Sequence, residues 1–349
     1  MTIDELINHT GEWLKGTGPQ SHIVMSSRVR LARNVERIPF PAKASKKELV
    51  EIIKIAKEAF DASEYFKDAM FLKINEMDTL DQQFLIERHL MSHDHAATSE
   101  GRAILVSKEE VLSIMVNEED HLRIQVMQSG SQLAETWKII NMIDDILSNK
   151  IPYAYDASWG YLTACPTNTG TGIRGSVMLH LPALVMTKQI NKVLEAIAKL
   201  SFTSRGFYGE GTQATGNFFQ ISNQVSLGHS EEDVLQNMNG LVGQIVEQEE
   251  QARQALLLQN RSILEDKICR SHGILKNAHI ISSQETVDLL SMVRLGIDVG
   301  VIKDIKKQTI NELFIMIQPA HLQKLERKKL NTLERDVKRA SVIRSKLGL

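Results

Sequence analysis

Hydrophobic and polar positions along this chain follow two rhythms, and the change from one to the other divides it. Over residues 23–34, Arg28 and Arg30 alternate with Val29 and Leu31. In a strand that spacing puts both guanidiniums on one face and the apolar side chains on the other. Short apolar or alternating runs at 71–74, 103–107, 113–117, 122–127, 176–181 and 218–222 predict further strands. Between them, apolar residues recur every three or four positions and predict helices over 46–60, 81–90, 136–147 and 185–200, with a short one over 4–14. Ser230-Glu-Glu-Asp233 is a capping box that opens a long helix striped by Val234, Leu235, Met238, Leu241, Val242, Ile245 and Val246. From about residue 250 the strand rhythm stops. Helical segments follow at 251–264, 283–295, 304–317 and 333–347, which places a domain boundary near 255–265.

Candidate chemistry gathers at the ends of the strand-like runs. The densest stretch is Cys165-Pro-Thr-Asn-Thr-Gly-Thr-Gly-Ile-Arg174. Gly170 and Gly172 tolerate backbone angles that other residues resist, and such a turn can bring N–H groups to an anion. Arg174 adds a forked, permanently charged donor suited to phosphate oxygens. No Gly-Lys-Ser/Thr follows, so this is not a Walker A loop, and it does not match the glycine-rich loop of the protein kinases. Cys165 lies among Thr163, Thr167 and Asn168, a polar setting for a thiol. In Asn117-Glu-Glu-Asp-His-Leu-Arg123, three carboxylates follow an apolar run directly; they form either a solvated loop or a site at a sheet end. Arg205-Gly-Phe-Tyr-Gly-Glu210 could hold a phosphate and a cation together. Arg28 and Arg30 repel each other unless they lie on a solvated edge strand or meet an anion. Arg335 and Arg339 are i,i+4 neighbours with Asp336 between them, which taken alone reads as a solvated helix face.

Composition narrows the class without choosing the function. The chain has 349 residues, 42% hydrophobic and 24% charged, with a net charge of −2 and a pI near 6.6. No basic field suggests direct nucleic-acid binding, and no apolar run approaches the ~20 residues of a membrane span. The first residues lack a basic segment followed by an apolar one, so no signal peptide is expected. Cys165 and Cys269 lie far apart in sequence. A cytoplasmic location with both thiols reduced is the expectation, Cys165 being the reactive one and Cys269 the inert one.

Taken together, these strings resemble the phosphagen (guanidino) kinases over roughly residues 20–255. The resemblance implies a nucleotide-phosphate strand at Ser26, Ser27, Arg28, Val29 and Arg30, with His89 beside the nucleotide. It implies phosphate contacts at Arg123, Arg174 and Arg205, and nucleotide contacts along Gly175, Ser176, Val177, Met178, Gly206, Phe207, Tyr208 and Gly209. Glu119 falls on the catalytic carboxylate, with Glu118 beside it counted among the catalytic residues; Glu210 falls on the guanidinium, and Cys165 on the reactive cysteine. ATP and Mg2+, the ion held mainly by the nucleotide and by no protein metal site, are the implied cofactors. The implied fold is α+β, with a mostly antiparallel sheet flanked by helices over 1–258 and an all-α domain over 259–349.

Three departures separate the chain from the metabolic members. Only a short segment precedes Ser26, Met178 stands where a histidine is common, and Gln220 stands where many members have Asp. With the added C-terminal helices, the chain is similar to the bacterial protein-arginine kinases. That family marks proteins for Clp protease degradation and acts on a heat-shock repressor. In it an R-D-x-x-R-A motif binds phosphoarginine, and Arg335, Asp336, Val337, Lys338, Arg339 and Ala340 match it. The implied partners are arginine-bearing protein substrates, an activator protein and a Clp chaperone-protease, with homo-oligomers formed by self-phosphorylated subunits. The alternatives are a metabolic kinase for free arginine or another small guanidine, and a non-catalytic phosphoarginine-binding adaptor.

Overall fold

The computed structural model describes residues 2–206 and 215–348. Its strands are β1 (Val24–Arg33), β2 (Met70–Lys73), β3 (Ala103–Val106), β4 (Leu112–Val116), β5 (Leu122–Ser129), β6 (Tyr155–Asp156), β7 (Gly160–Tyr161), β8 (Ile173–His180), β9 (Phe202–Arg205) and β10 (Phe218–Asn223). Among the described residues, eight of these form one sheet in the order β2-β3-β4-β5-β1-β8-β10-β9, with every pairing antiparallel. The hairpin β6–β7 stands apart. The helices are α1 (Ile3–Leu6), α2 (Lys46–Asp61), α3 (Thr79–Glu87), α4 (His93–Ala97), α5 (Leu133–Ser148), α6 (Pro182–Met186), α7 (Ile190–Lys199), α8 (Glu231–Gln259), α9 (Arg261–Asn277), α10 (Ser283–Asp298), α11 (Lys307–Met316), α12 (Pro319–Glu326) and α13 (Thr332–Lys346).

The period of two along β1 sorts the sheet into two faces. Val29 and Leu31 are fully buried. α5 lies across β1 and β5, burying Leu133, Ile140, Ile143 and Leu147, while α8 lies across β8. Val29 is paired with Gly175, and a Cβ at Gly175 would stand 3.2 Å from Met238 Sδ of α8. Glycine there lets the helix pack closely on the sheet, and a larger residue would push against the side chains of Met238 and Leu235. The opposite face carries Arg28 and Arg30 and stays open enough to form a cleft.

Several expected elements are broken where the backbone turns. Residues 4–14 are not one helix: α1 stops at Leu6, and a separate 3₁₀ turn, Glu12–Leu14, buries Trp13 and Leu14. The 185–200 helix splits into α6 and α7, with Lys188 at φ 59° between them. The 251–264 helix is also interrupted: α8 continues to Gln259, Asn260 leaves helical geometry (φ −138°, ψ 33°), and α9 runs on to Asn277. Strand β9 and helix α12 lie where no element was expected. α12 starts at a proline, whose fixed φ suits the first turn.

The C-terminal helices do not form a separate core. One continuous hydrophobic cluster holds Val29 and Ile124 of the sheet together with Ile268, Leu313 and Ile343. Buried polar side chains stitch the seam. Arg294 of α10 donates to the carbonyls of Ser21 (2.8 Å) and His22 (3.3 Å), and Asn311 of α11 donates to that of Leu14 (3.1 Å).

Candidate active site

Strand register gathers the arginines. Across the antiparallel pairs, Arg30 stands opposite Arg174 on β8 and Gln125 on β5, while Arg123 stands opposite Ala32. Arg205 on β9 stands opposite Gln220 on β10, which in turn faces Met178 on β8. All five expected phosphate-binding arginines therefore reach one cleft of about 1280 Å³, together with His89, Glu118, Glu119 and Cys165. Arg102 also lines it, although no pattern had singled it out.

Two of these cations, Arg28 and Arg30, are poorly neutralised by the protein itself. Arg28 donates from Nη2 to Gln220 Oε1 (2.7 Å), from Nε to Ser176 Oγ (3.1 Å) and from Nη1 to Gln125 Oε1 (3.4 Å), all uncharged acceptors. Burial, then the charges of Arg123, Arg174 and Arg205, push its guanidinium down to about 9. Burial, then the charges of Arg28, Arg123 and Arg174, hold Arg30 well below its ordinary value against the pull of Glu118, and its buried Nε has no hydrogen-bond partner among the described residues. Such a cluster is stabilised by an anion rich in oxygens.

The carboxylates arrive on the turn between β4 and β5. Asn117 adopts a left-handed conformation (φ 62°) and its amide donates to the His121 carbonyl at 2.9 Å, closing the turn. Its side-chain amide is fixed by the carbonyls of Leu49 and Gly101. Glu118 is buried and ion-paired with Arg123, and Ser92 donates to its other oxygen. Burial raises its carboxyl, but Arg123 and Ser92 outweigh that and hold it below the usual range. Glu119 is the exposed member. Burial and the neighbouring Asp120 raise it, which suits a group that accepts a proton. Glu118 therefore orients Arg123, and Glu119 faces the cleft.

A tether that carried no role in the sequence reading holds three segments together. Asp120 Oδ1 accepts from Asn34 Nδ2 (2.6 Å) just after β1 and from the Ala164 amide (2.7 Å) next to Cys165. Asn34 Oδ1 accepts from the His121 amide at 2.9 Å. The end of the arginine strand, the carboxylate turn and the cysteine loop are thus joined through one buried carboxylate. Its only sequence signal was its place in the acidic string. Cys165 is partly buried and lines the cleft, with Sγ 3.0 Å from Thr167 Oγ1. Cys269 is exposed on α9, so burial does not keep it inert.

Not every expected nucleotide residue faces the cleft. Ser26, Ser176 and Met178 line a small recess beside Trp13, His89 and Gln220. Ser27, Val29, Gly175 and Val177 alternate onto the other face and do not line the cleft or the recess. Ser27 instead donates to the Gly130 carbonyl (2.8 Å) and accepts from the Gln132 amide (2.9 Å) at the start of α5. Gly206 is the last described residue before 207–214. Phe207, Tyr208, Gly209 and Glu210 lie outside the described residues. Among those that are described, no group of three or more His, Cys, Asp or Glu is placed to hold a metal ion, and no helix is long and apolar enough to cross a membrane.

The Arg335–Ala340 motif lies on α13, away from the residues lining the cleft. Arg335 and Asp336 are partly exposed, Val337 is exposed, and Lys338 pairs with Glu326. Arg339 and Ala340 are buried. Arg339 donates to the carbonyls of Ile317 (3.0 Å) and Ile281 (2.9 Å) and pairs with Asp336. The picture of two guanidiniums facing one external anion needs correction. The i,i+4 spacing sets direction around the helix, but packing against α11 and α12 turns Arg339 inward.

An antiparallel sheet with an arginine-lined cleft and a carboxylate turn has the layout of a phosphotransferase that handles a guanidino acceptor. Comparisons with known proteins agree. Residues 51–252 match the family model of the ATP:guanido phosphotransferase C-terminal catalytic domain, and residues 261–349 that of the protein-arginine kinase McsB C-terminal domain. The chain is 46% identical over 350 residues to a protein-arginine kinase of Halothermothrix orenii, with all of both chains covered. It is 46% identical to that of Bacillus subtilis, covering 97% of this chain and 93% of the relative. Among solved structures, the duplicated taurocyamine kinase of Schistosoma mansoni with bound transition-state analogue components is similar at TM-score 0.61 and 27% identity, over 71% of this chain and 36% of that one. Lombricine kinase shares the fold at TM-score 0.60 and 24% identity, over 69% of each chain. This chain belongs to the protein-arginine kinase branch of the ATP:guanido phosphotransferase family.

Proposed function

We propose that the protein transfers the γ-phosphoryl group of ATP to arginine side chains of other proteins. The observation that carries this reading is the convergence of five arginines, Glu119 and Cys165 on one cleft. Arg28, Arg30, Arg123, Arg174 and Arg205 bind the phosphates. A divalent ion held mainly by the nucleotide suits a cleft whose phosphate face is built of guanidiniums; when bound, it neutralises phosphate charge.

A free guanidinium has a pKa near 12.5–13.8, so neutralising it before transfer at pH 7 would cost about 7–9 kcal/mol. The proton therefore leaves as the N–P bond forms. Glu119 orients the planar group and accepts the proton, and the arginines hold donor and acceptor in line. Cys165 lines the same cleft and would lie beside the acceptor. Glu210 would hold the guanidinium from the second side.

The C-terminal motif would bind phosphoarginine through Arg335 and Asp336, with Arg339 fixing Asp336. In this reading the modified proteins pass to a Clp chaperone-protease, a heat-shock repressor is one target, an activator protein controls the activity, and self-phosphorylated subunits associate in the cytoplasm. The test is incubation with Mg-ATP and either an arginine-rich protein or free arginine, with acid-labile phosphate located by mass spectrometry. Phosphate on protein arginines supports the reading. Faster turnover of free arginine than of any protein would reject it.

A further inference from the structure

The last residue of α3, Glu87, is buried and belongs to the sheet-containing region, yet its partners are in the C-terminal helices. Its carboxylate accepts from the backbone amides of Ala320 (2.8 Å) and His321 (3.1 Å) and lies 2.9 Å from His321 Nδ1. It thereby caps the first turn of α12, where free N–H groups and the helix dipole favour a negative charge. The N-cap and first residue of that capped turn, Gln318 and Pro319, line the cleft.

Glu87 is also two residues from His89. His89 holds a left-handed backbone conformation (φ 60°), which costs energy for a side-chain-bearing residue and persists only where its surroundings enforce it. Those surroundings are visible. The His89 carbonyl accepts from Gln125 Nε2 (2.8 Å), its ring packs edge-on to Trp13 (5.3 Å), and Arg88 between them is clamped by Glu110 and the His9 carbonyl. From the other side, Arg339 of α13 holds the Ile317 carbonyl, one residue before Gln318. Burial raises the Glu87 carboxyl to about 7 even with the two amide donors, so this anchor is kept at an energetic cost.

We propose that Glu87 is a positioning residue for nucleotide binding. By capping α12 it holds Gln318 and Pro319 as part of the wall of the cleft that His89 also lines, which makes the C-terminal helices a component of the nucleotide site. This rests on reading the cleft as that site.

The test is the full-length chain carrying Glu87→Gln, with ADP affinity measured by calorimetry and steady-state kinetics run alongside. Glutamine keeps one acceptor oxygen but turns an NH2 group toward a backbone N–H. The expected result is an ADP Kd and an ATP KM raised at least fivefold, with kcat within twofold of wild type. Pro319→Ala removes part of the wall without touching the cap and should move Kd in the same direction by a smaller factor. Unchanged Kd and KM in Glu87→Gln, with only a lower Tm, overturns the proposal. Should Glu87→Gln not fold, an unchanged Kd in Pro319→Ala overturns it. Wild-type protein that fails to bind ADP overturns the reading of the cleft itself, a separate result from either variant's.

Discussion

The arginines of the cleft are half-buried and the arginine at the centre of α13 is buried, and the two sets are compensated in opposite ways. Arg28 and Arg30 sit among other guanidiniums; Arg28 donates to uncharged acceptors, and the Nε of Arg30 has no hydrogen-bond partner among the described residues. Arg339 is saturated by two carbonyls and a carboxylate. The same contrast exists within one strand. Arg33, three residues from Arg30 and on the other face of β1, is held by both oxygens of Asp144 and lies over the Tyr161 ring at 3.6 Å. A buried cation that carries its own counter-charge belongs to the architecture. A buried cation without one is poised for an anion brought by a ligand.

The largest effect expected from breaking this contrast is on chemistry. Glu119→Gln keeps the shape of the turn but loses the charge facing the acceptor, so kcat should fall by about 10²–10⁴-fold. ADP affinity should change little, because the arginines still hold the phosphates. Rapid-quench and calorimetric measurements on the same preparation separate the two. Near-normal turnover would remove Glu119 from proton transfer.

Arginine deletions then set function against stability. Arg28→Ala should weaken ADP binding by about tenfold to a hundredfold, the range for charge-assisted hydrogen bonds. It should leave Tm level or higher, since it relieves repulsion among buried cations. Arg339→Ala should do the reverse on stability, costing about 3 kcal/mol through the carbonyls and carboxylate it leaves unpaired. Equal loss of Tm in both variants would erase the distinction.

Acid should expose a third consequence of burial. Burial depresses His89 to about 3 and His95 and His121 to about 4, and it holds His180 and His321 well below their ordinary value. Unfolded histidines titrate near 6.5. Below that pH the unfolded chain binds more protons than the native one, so this stability is complete above about pH 6.5 and is lost as pH falls toward 4. Glu87, raised to about 7, works the other way between 7 and 4.5, and burial also raises Glu119, Asp120 and Glu249, but the five depressed histidines outnumber these carboxyls. Calorimetric Tm should drop steadily from pH 7 to 5, and a flat profile would contradict the buried, neutral state of these rings.

The smallest expected effects concern the thiols. Alkylation should inactivate wild type and Cys269→Ser alike, although exposed Cys269 is modified, and should spare Cys165→Ser. Mass spectrometry of the alkylated chains checks which thiol reacts. Inactivation of Cys165→Ser at the wild-type rate would place the sensitive group elsewhere.

Local pattern determined a large part of this protein. The alternation around Arg28 and Arg30 specified a strand and its two faces, because side-chain direction in a strand depends only on position. The acidic string after an apolar run specified a turn at a sheet end, and Ser230 with Asp233 marked the start of α8 through hydrogen bonds three residues apart. The same period also implied that Ser27, Val29, Gly175 and Val177 could not share the cleft face, which the motif-based reading passed over. Tertiary structure alone decided which arginines meet, because register between β1, β5 and β8 is set by contacts about a hundred residues apart or more. It alone turned Arg339 inward, joined Asp120 to Asn34 and Ala164, and set Glu87 on the first turn of α12. Each of these depends on where a distant segment docks, and no local spacing encodes that docking.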